Sequence, residues 1–143
     1  MLSHPRAIFR VGCAILVFTA LAHVLGHVSL AAQTGEDETH RQLLALMKGY
    51  RREIGGSMRS TWDFFLGFSL HFSISLLGLG AAGWAGTVGG RRPGALALVF
   101  TLVSGAALAN SVAYFFIAPT VCLAAATLAF ALATVAERLT TST

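Results

Sequence analysis

Charge is what this sequence has least of. Asp, Glu, Lys and Arg make up 11% of its 143 residues, against 55% hydrophobic residues and a mean hydropathy of +0.72. A soluble domain of this length alternates polar and apolar residues along its strands or helix faces. Here long apolar runs take their place, which excludes a water-soluble globule and points to a membrane. Cysteine is also scarce. Cys13 and Cys122 cannot build a disulfide framework, and their expected depths differ by roughly 15 Å at 1.5 Å per helical residue, too far for a bond. Both read as small buried apolar residues. There is no Cys/His zinc spacing, no Gly-rich phosphate loop, no nucleophile elbow and no internal repeat. No metal site or resident cofactor is therefore expected from motifs.

The apolar runs predict an all-α fold: one integral-membrane four-helix bundle spanning 1–143. The spans are expected at about 8–30, 62–84, 95–114 and 117–136, each near the ~20 residues that cross a ~30 Å hydrocarbon core. The last two share one apolar stretch, and a turn is placed near Tyr114–Thr120. Pro119 suits the first turn of the fourth helix, where its missing N–H costs nothing. The start of the chain also has the form of a signal peptide, with Ser29-Leu30-Ala31 as a cleavage site. Its apolar stretch exceeds the usual signal core and carries two histidines, so a retained span is the reading adopted.

The net charge of +4 does not call for a nucleic-acid partner, because topology accounts for the basic residues. Arg6, Arg10, Arg91, Arg92 and Arg138 all fall on one side of a four-span chain. The positive-inside rule makes that side cytoplasmic, with both termini inside and the membrane a bacterial inner membrane. Arg41, Lys48, Arg51, Arg52 and Arg59 on the opposite side weaken the asymmetry.

That opposite side is the loop 33–60. Thr34 followed by Asp37 resembles an N-cap with acidic first-turn residues. Leu43, Leu44, Leu46, Met47 and Tyr50 recur at helical spacing through Arg52. An amphipathic helix is expected, lying at the membrane surface or folded over the bundle as a lid. Gly55-Gly56 is expected to break it, with no strand in the chain. Glycine and alanine runs along the spans (Gly12, Gly78, Gly80, Gly83, Gly105) read as close helix packing.

Against this background the intramembrane ionisable residues stand out, since each costs about 2.5–3.5 kcal/mol or more near the bilayer centre. His23 and His27 are one turn apart on the first span and share a face. Asp63, Gly67 and His71 do the same on the second, with His71 about 12 Å deeper than Asp63. All four ionisable groups fall in the outer half of the membrane. Gly67 removes a side chain between Asp63 and His71 and leaves room for a ligand. Ser69, Ser73 and Ser75 add hydroxyls, and Asn110 and Tyr114 bring polar groups from the third span. Trp62 reads as an interfacial anchor and as a wall of the same site.

Arg59-Ser60-Thr61-Trp62-Asp63-Phe64-Phe65-Leu66-Gly67-Phe68, His23, and Tyr114-Phe115-Phe116-Ile117-Ala118-Pro119 together resemble a family of small bacterial four-span membrane proteins. The resemblance covers nearly the whole chain, and Trp62-Asp63-Phe64-Phe65-x-Gly67-Phe68 is its most specific part. It implies an inner-membrane protein and carries no assigned chemistry. The architecture is also similar to emopamil-binding-protein-like sterol isomerases, which shift a double bond by proton transfer inside a membrane pocket. Their acidic position would fall on His71, a departure.

Three readings follow. In the first, a lipophilic small molecule enters an outer-half pocket, with His71, His23, His27 and Asp63 as catalytic acid–base groups and Trp62, Gly67, Asn110 and Tyr114 as ligand contacts. Histidine takes and gives protons near neutral pH, Asp63 orients His27, and Asn110 or Tyr114 bonds a substrate oxygen. The second is a structural or accessory subunit, with a homo-oligomer or another membrane protein as partner besides the lipids. The third is a haem or metal held by His23 and His71.

Overall fold

The computed structural model describes residues 4–141. Five α-helices dominate: α1 Pro5–Ala31, α2 Glu38–Gly49, α3 Thr61–Gly86, α4 Ala95–Tyr114 and α5 Ile117–Thr141. Among the described residues, α1, α3, α4 and α5 are long and apolar enough to cross a membrane. The chain is a multi-pass, all-α membrane protein, as its hydropathy requires. α1 and α5 run past the apolar limits expected for them, because helix geometry continues into the polar residues that reach water.

The molecule divides into two compact units. One holds the residues up to Ala20 and from Ser75 onward, and the other holds Leu21–Ile74. In the first unit the start of α1 and the end of α3 pack with α4 and α5. Phe9, Phe100 and Phe130, from α1, α4 and α5, form a triangle with ring centroids 5.1–5.2 Å apart. Edge and tilted aromatic pairs at such distances are favourable, and all three side chains are buried. The small residues allow this closeness. A Cβ on Gly12 would lie 2.6 Å from the Phe130 ring, and one on Gly83 would lie 2.7 Å from both Cys13 Sγ and Phe100. Lipid tails are as apolar as leucine, so fit rather than water exclusion holds membrane helices together. The outer faces stay apolar: Leu102, Val112, Ile117 and Leu128 are all exposed, as lipid contact requires.

Hydroxyl pairs tie α4 to α5. Thr101 Oγ1 and Thr134 Oγ1 are 3.2 Å apart, and Ser111 Oγ and Thr120 Oγ1 are 2.8 Å apart. The link between the two helices is only Phe115 and Phe116. It lies inside the expected turn, and Pro119 stands in the first turn of α5. Cys13 and Cys122 are both free thiols.

The second unit contains the end of α1, all of α2, a small hairpin and the start of α3. Here the sequence reading needs three corrections. The N-cap of α2 is Asp37, not Thr34: Asp37 Oδ1 accepts the His40 N–H at 2.7 Å. The helix ends at Gly49 rather than Arg52. The residues that follow form antiparallel strands β1 Arg51–Ile54 and β2 Ser57–Ser60, with Arg51 opposite Ser60 and Ile54 opposite Ser57. Gly55 and Gly56 have φ +58° and +78°. Two consecutive positive-φ residues suit a two-residue hairpin turn whose twist matches the strands, so the glycines pair the flanking tetrapeptides as well as ending the helix.

Candidate functional site

α3 begins with a reciprocal cap. The Asp63 N–H donates to Ser60 Oγ at 3.1 Å, and Asp63 Oδ2 accepts the Ser60 N–H at 2.8 Å. This is a capping box, with aspartate in the usual Glu/Gln place. It places a carboxylate at the positive end of the helix and directs α3 out of the hairpin. The pattern Ser-x-x-Asp was readable in the sequence. Trp62 beside it is buried and stacks on Phe65 at 5.7 Å. The Lys48 ammonium lies 5.1 Å from the Trp62 ring centroid, a cation–π contact that fastens α2 to the start of α3.

From there two faces of α3 carry different chemistry. One face meets α1. His23 Nδ1 is 2.9 Å from Ser73 Oγ, and His27 Nδ1 is 3.1 Å from Ser69 Oγ. The two histidines step forward by one turn as the two serines step back by one, the register of an antiparallel helix pair. Ser73 Oγ also donates to the Ser69 carbonyl at 3.4 Å. When it does, His23 must supply the proton between them from Nδ1. The Phe72 ring stands edge-on to His23 at 5.0 Å. The sequence reading named Ser69 and Ser73 as hydroxyls but did not pair them with the histidines. The serines' spacing of four, matched to the spacing of four between the histidines, was the available signal.

The other face carries Asp63, Gly67 and His71 in successive turns. With Arg59, Phe64 and Phe68 they line a groove of about 440 Å³. A Cβ on Gly67 would meet nothing within 4 Å, so the space in front of the glycine is open. His71 and Phe68 are exposed along this face, with Phe68 at 72%. Arg59, Phe64 and Phe68 were read in the sequence only as part of the Arg59–Phe68 motif, not as lining of a site. No residue of α2 lines the groove. α2 buries only Leu44 and leaves Leu43 and Leu46 exposed, the form of a helix lying in an interface.

The structure therefore separates residues that shared one depth band in the sequence. His27 is bonded to Ser69, and the Asp63 carboxylate is bonded to the Ser60 amide. Ser73, which receives His23, and His71 are two residues apart and so about 160° apart around α3. A single iron between His23 and His71 does not fit that arrangement. Among the described residues no group of three His, Cys, Asp or Glu side chains is arranged to hold a metal ion. Asn110 and Tyr114 lie at the end of α4 in the other unit, and both are exposed. No family model, curated protein or solved structure matches the chain.

Proposed function

We propose that this multi-pass membrane protein takes a lipophilic small molecule from the bilayer into the α3 groove, and that His71 exchanges a proton with it. One observation carries the reading: Asp63, Gly67 and His71 line a single open groove with Phe64 and Phe68. The phenylalanines offer apolar walls. Gly67 leaves space for a ring or chain. His71 supplies an imidazole there, a side chain suited to general acid–base chemistry. Asp63 is a positioning residue, since its carboxylate starts the helix that presents the other two. His23 and His27 hold α1 against α3 in this reading and touch no ligand. The membrane is a bacterial inner membrane with both termini cytoplasmic, which the five arginines of one side favour.

The test uses a photoactivatable fatty alcohol with the purified full-length protein in mixed micelles. Crosslinks are expected on residues 63–71 and should fall several-fold in Gly67→Phe, which puts a ring into the groove from a position where a Cβ meets nothing within 4 Å. His71→Gln should keep the crosslinks, because it leaves the walls in place. Crosslinks spread evenly over α4 and α5, or unchanged by Gly67→Phe, would remove the groove from consideration.

The rival reading is a structural subunit, and the two His–Ser bonds favour it. In that case photolabelling shows no focus, and a partner protein remains bound after gentle solubilisation.

A further inference from the structure

The unit that holds α4 and α5 has a second recess, far removed in chemistry from the α3 groove. It measures about 390 Å³ and is lined by His4, Pro5, Arg6, Ala7, Arg10, Gly90, Arg92 and Thr140. That is an order of magnitude more than the ~30 Å³ a water takes in the liquid. Three of its walls are guanidinium groups brought from two separate segments. Arg6 and Arg10 come from the first turns of α1, and Arg92 from the link before α4. None of the three has a carboxylate within ion-pair distance among the described residues. Glu137 is the one acidic residue in this unit, against Arg6, Arg10, Arg91, Arg92 and Arg138.

Arg10 and Arg92 are held by neutral partners. Arg10 Nε donates to Thr87 Oγ1 and Nη2 to the Thr87 carbonyl, both at 2.9 Å. Its guanidinium carbon also lies 5.1 Å from the Trp84 ring centroid. Thr87 is fully buried, and its hydroxyl donates onward to the Trp84 carbonyl at 2.9 Å. Arg92 Nη1 donates to Thr140 Oγ1 at 3.3 Å. Gly90 has φ +85°, and a Cβ there would sit 3.1 Å from Arg6 Nη1, so the glycine lets the Arg6 fork lie along the backbone. The first turn of α1 adds its unbonded N–H groups and the positive end of a 27-residue helix. The recess lies where α1 starts, α3 and α5 end and α4 is about to begin, at the ends of four membrane-crossing helices.

We propose that this recess binds a phosphate group, presented by an anionic membrane lipid whose chains lie along the apolar outer faces of the helices. Planar guanidinium forks match phosphate oxygens in pairs. Basic recesses between span ends are places where anionic lipid headgroups settle. The same phosphate chemistry can arrive on a soluble ion, and the experiment separates the two sources.

The full-length protein is purified in a mild detergent, and bound lipid is counted by native mass spectrometry with phosphatidylglycerol or phosphatidylcholine of identical chains. Phosphatidylglycerol adducts should persist on the wild type and phosphatidylcholine adducts should not. Arg6→Gln with Arg92→Gln should weaken phosphatidylglycerol binding on the order of tenfold. The charge-matched Arg51→Gln with Arg52→Gln should leave it unchanged. Arg6→Lys with Arg92→Lys keeps the charges and should retain most of the adducts, which separates a lost site from a lost fold. Inorganic phosphate that displaces the lipid at equal concentration would assign the recess to a soluble ion. Equal retention of both lipids, or full binding by the double Gln variant, would overturn the proposal.

Discussion

The two His–Ser bonds between α1 and α3 give the sharpest quantitative expectation. In a bilayer, hydrogen bonds between helices average about 0.6 kcal/mol by double-mutant cycle and reach about 1.7. His23 to Ser73 is the shorter of the two at 2.9 Å, and Ser73 is only 2% exposed, so its coupling belongs in the upper half of that range, about 1–1.7 kcal/mol. His27 to Ser69 at 3.1 Å, on a more open stretch of helix, belongs near the average. The cycle uses His23→Ala, Ser73→Ala and the double variant, with stability followed by steric trapping or by titration with a denaturing detergent. Ser73→Ala also removes the bond to the Ser69 carbonyl. That loss occurs in both arms and cancels. The crossed pair His23 and Ser69 has no direct bond and should show no coupling. A His23/Ser73 coupling within ~0.3 kcal/mol of zero, the usual noise of additive sites, would refute the view that these histidines hold the helices and would return His23 to the list of free intramembrane groups.

Other perturbations test the remaining joints. Gly12→Ala puts a methyl 2.6 Å from a ring carbon of buried Phe130 and should cost about 1–3 kcal/mol through overpacking. Gly26→Ala meets nothing within 4 Å and should be tolerated in the same unfolding assay. Ser60→Ala removes half of the capping box and should destabilise the start of α3 by about 0.5–2 kcal/mol, seen as faster hydrogen exchange at residues 61–63. The Glu38 carboxyl is held below its ordinary value of 4.5 by hydrogen bonds from Arg41 and then Gln42. Its contribution to α2 is therefore complete above that ordinary value and is lost as pH falls through the lowered one. Exchange protection of the α2 amides should decline over that acid range and hold steady between pH 5 and 7.

The four spans were legible because a bilayer demands long apolar runs, and nothing else in 95–114 or 62–84 competes with that reading. The hairpin was not. Arg51, Arg52 and Glu53 are poor strand formers, and only the positive-φ demand at Gly55 and Gly56 pairs them with 57–60. Asp37 displaced Thr34 as the cap because capping needs a side-chain oxygen within reach of the amide three residues on, and a single sequence offered both residues. The shared face of Asp63, Gly67 and His71 followed from helical spacing. The partners of His23 and His27 did not, because spacing says which residues share a face and not which face meets a neighbour. The arginines of the basic recess were read only as topology markers. Their convergence depends on Gly90 and Thr87, which have no signature in the sequence.

The two-residue link between α4 and α5 has a consequence for how the molecule is made. With only Phe115 and Phe116 between them, the adjoining helix ends remain tethered whenever their packing is lost. Little loop-closure entropy separates the loose pair from the packed one. α5 does not have to search the bilayer for α4. Pairing of the last two spans therefore closes a far shorter loop than the docking of α1 onto them, and costs less chain entropy.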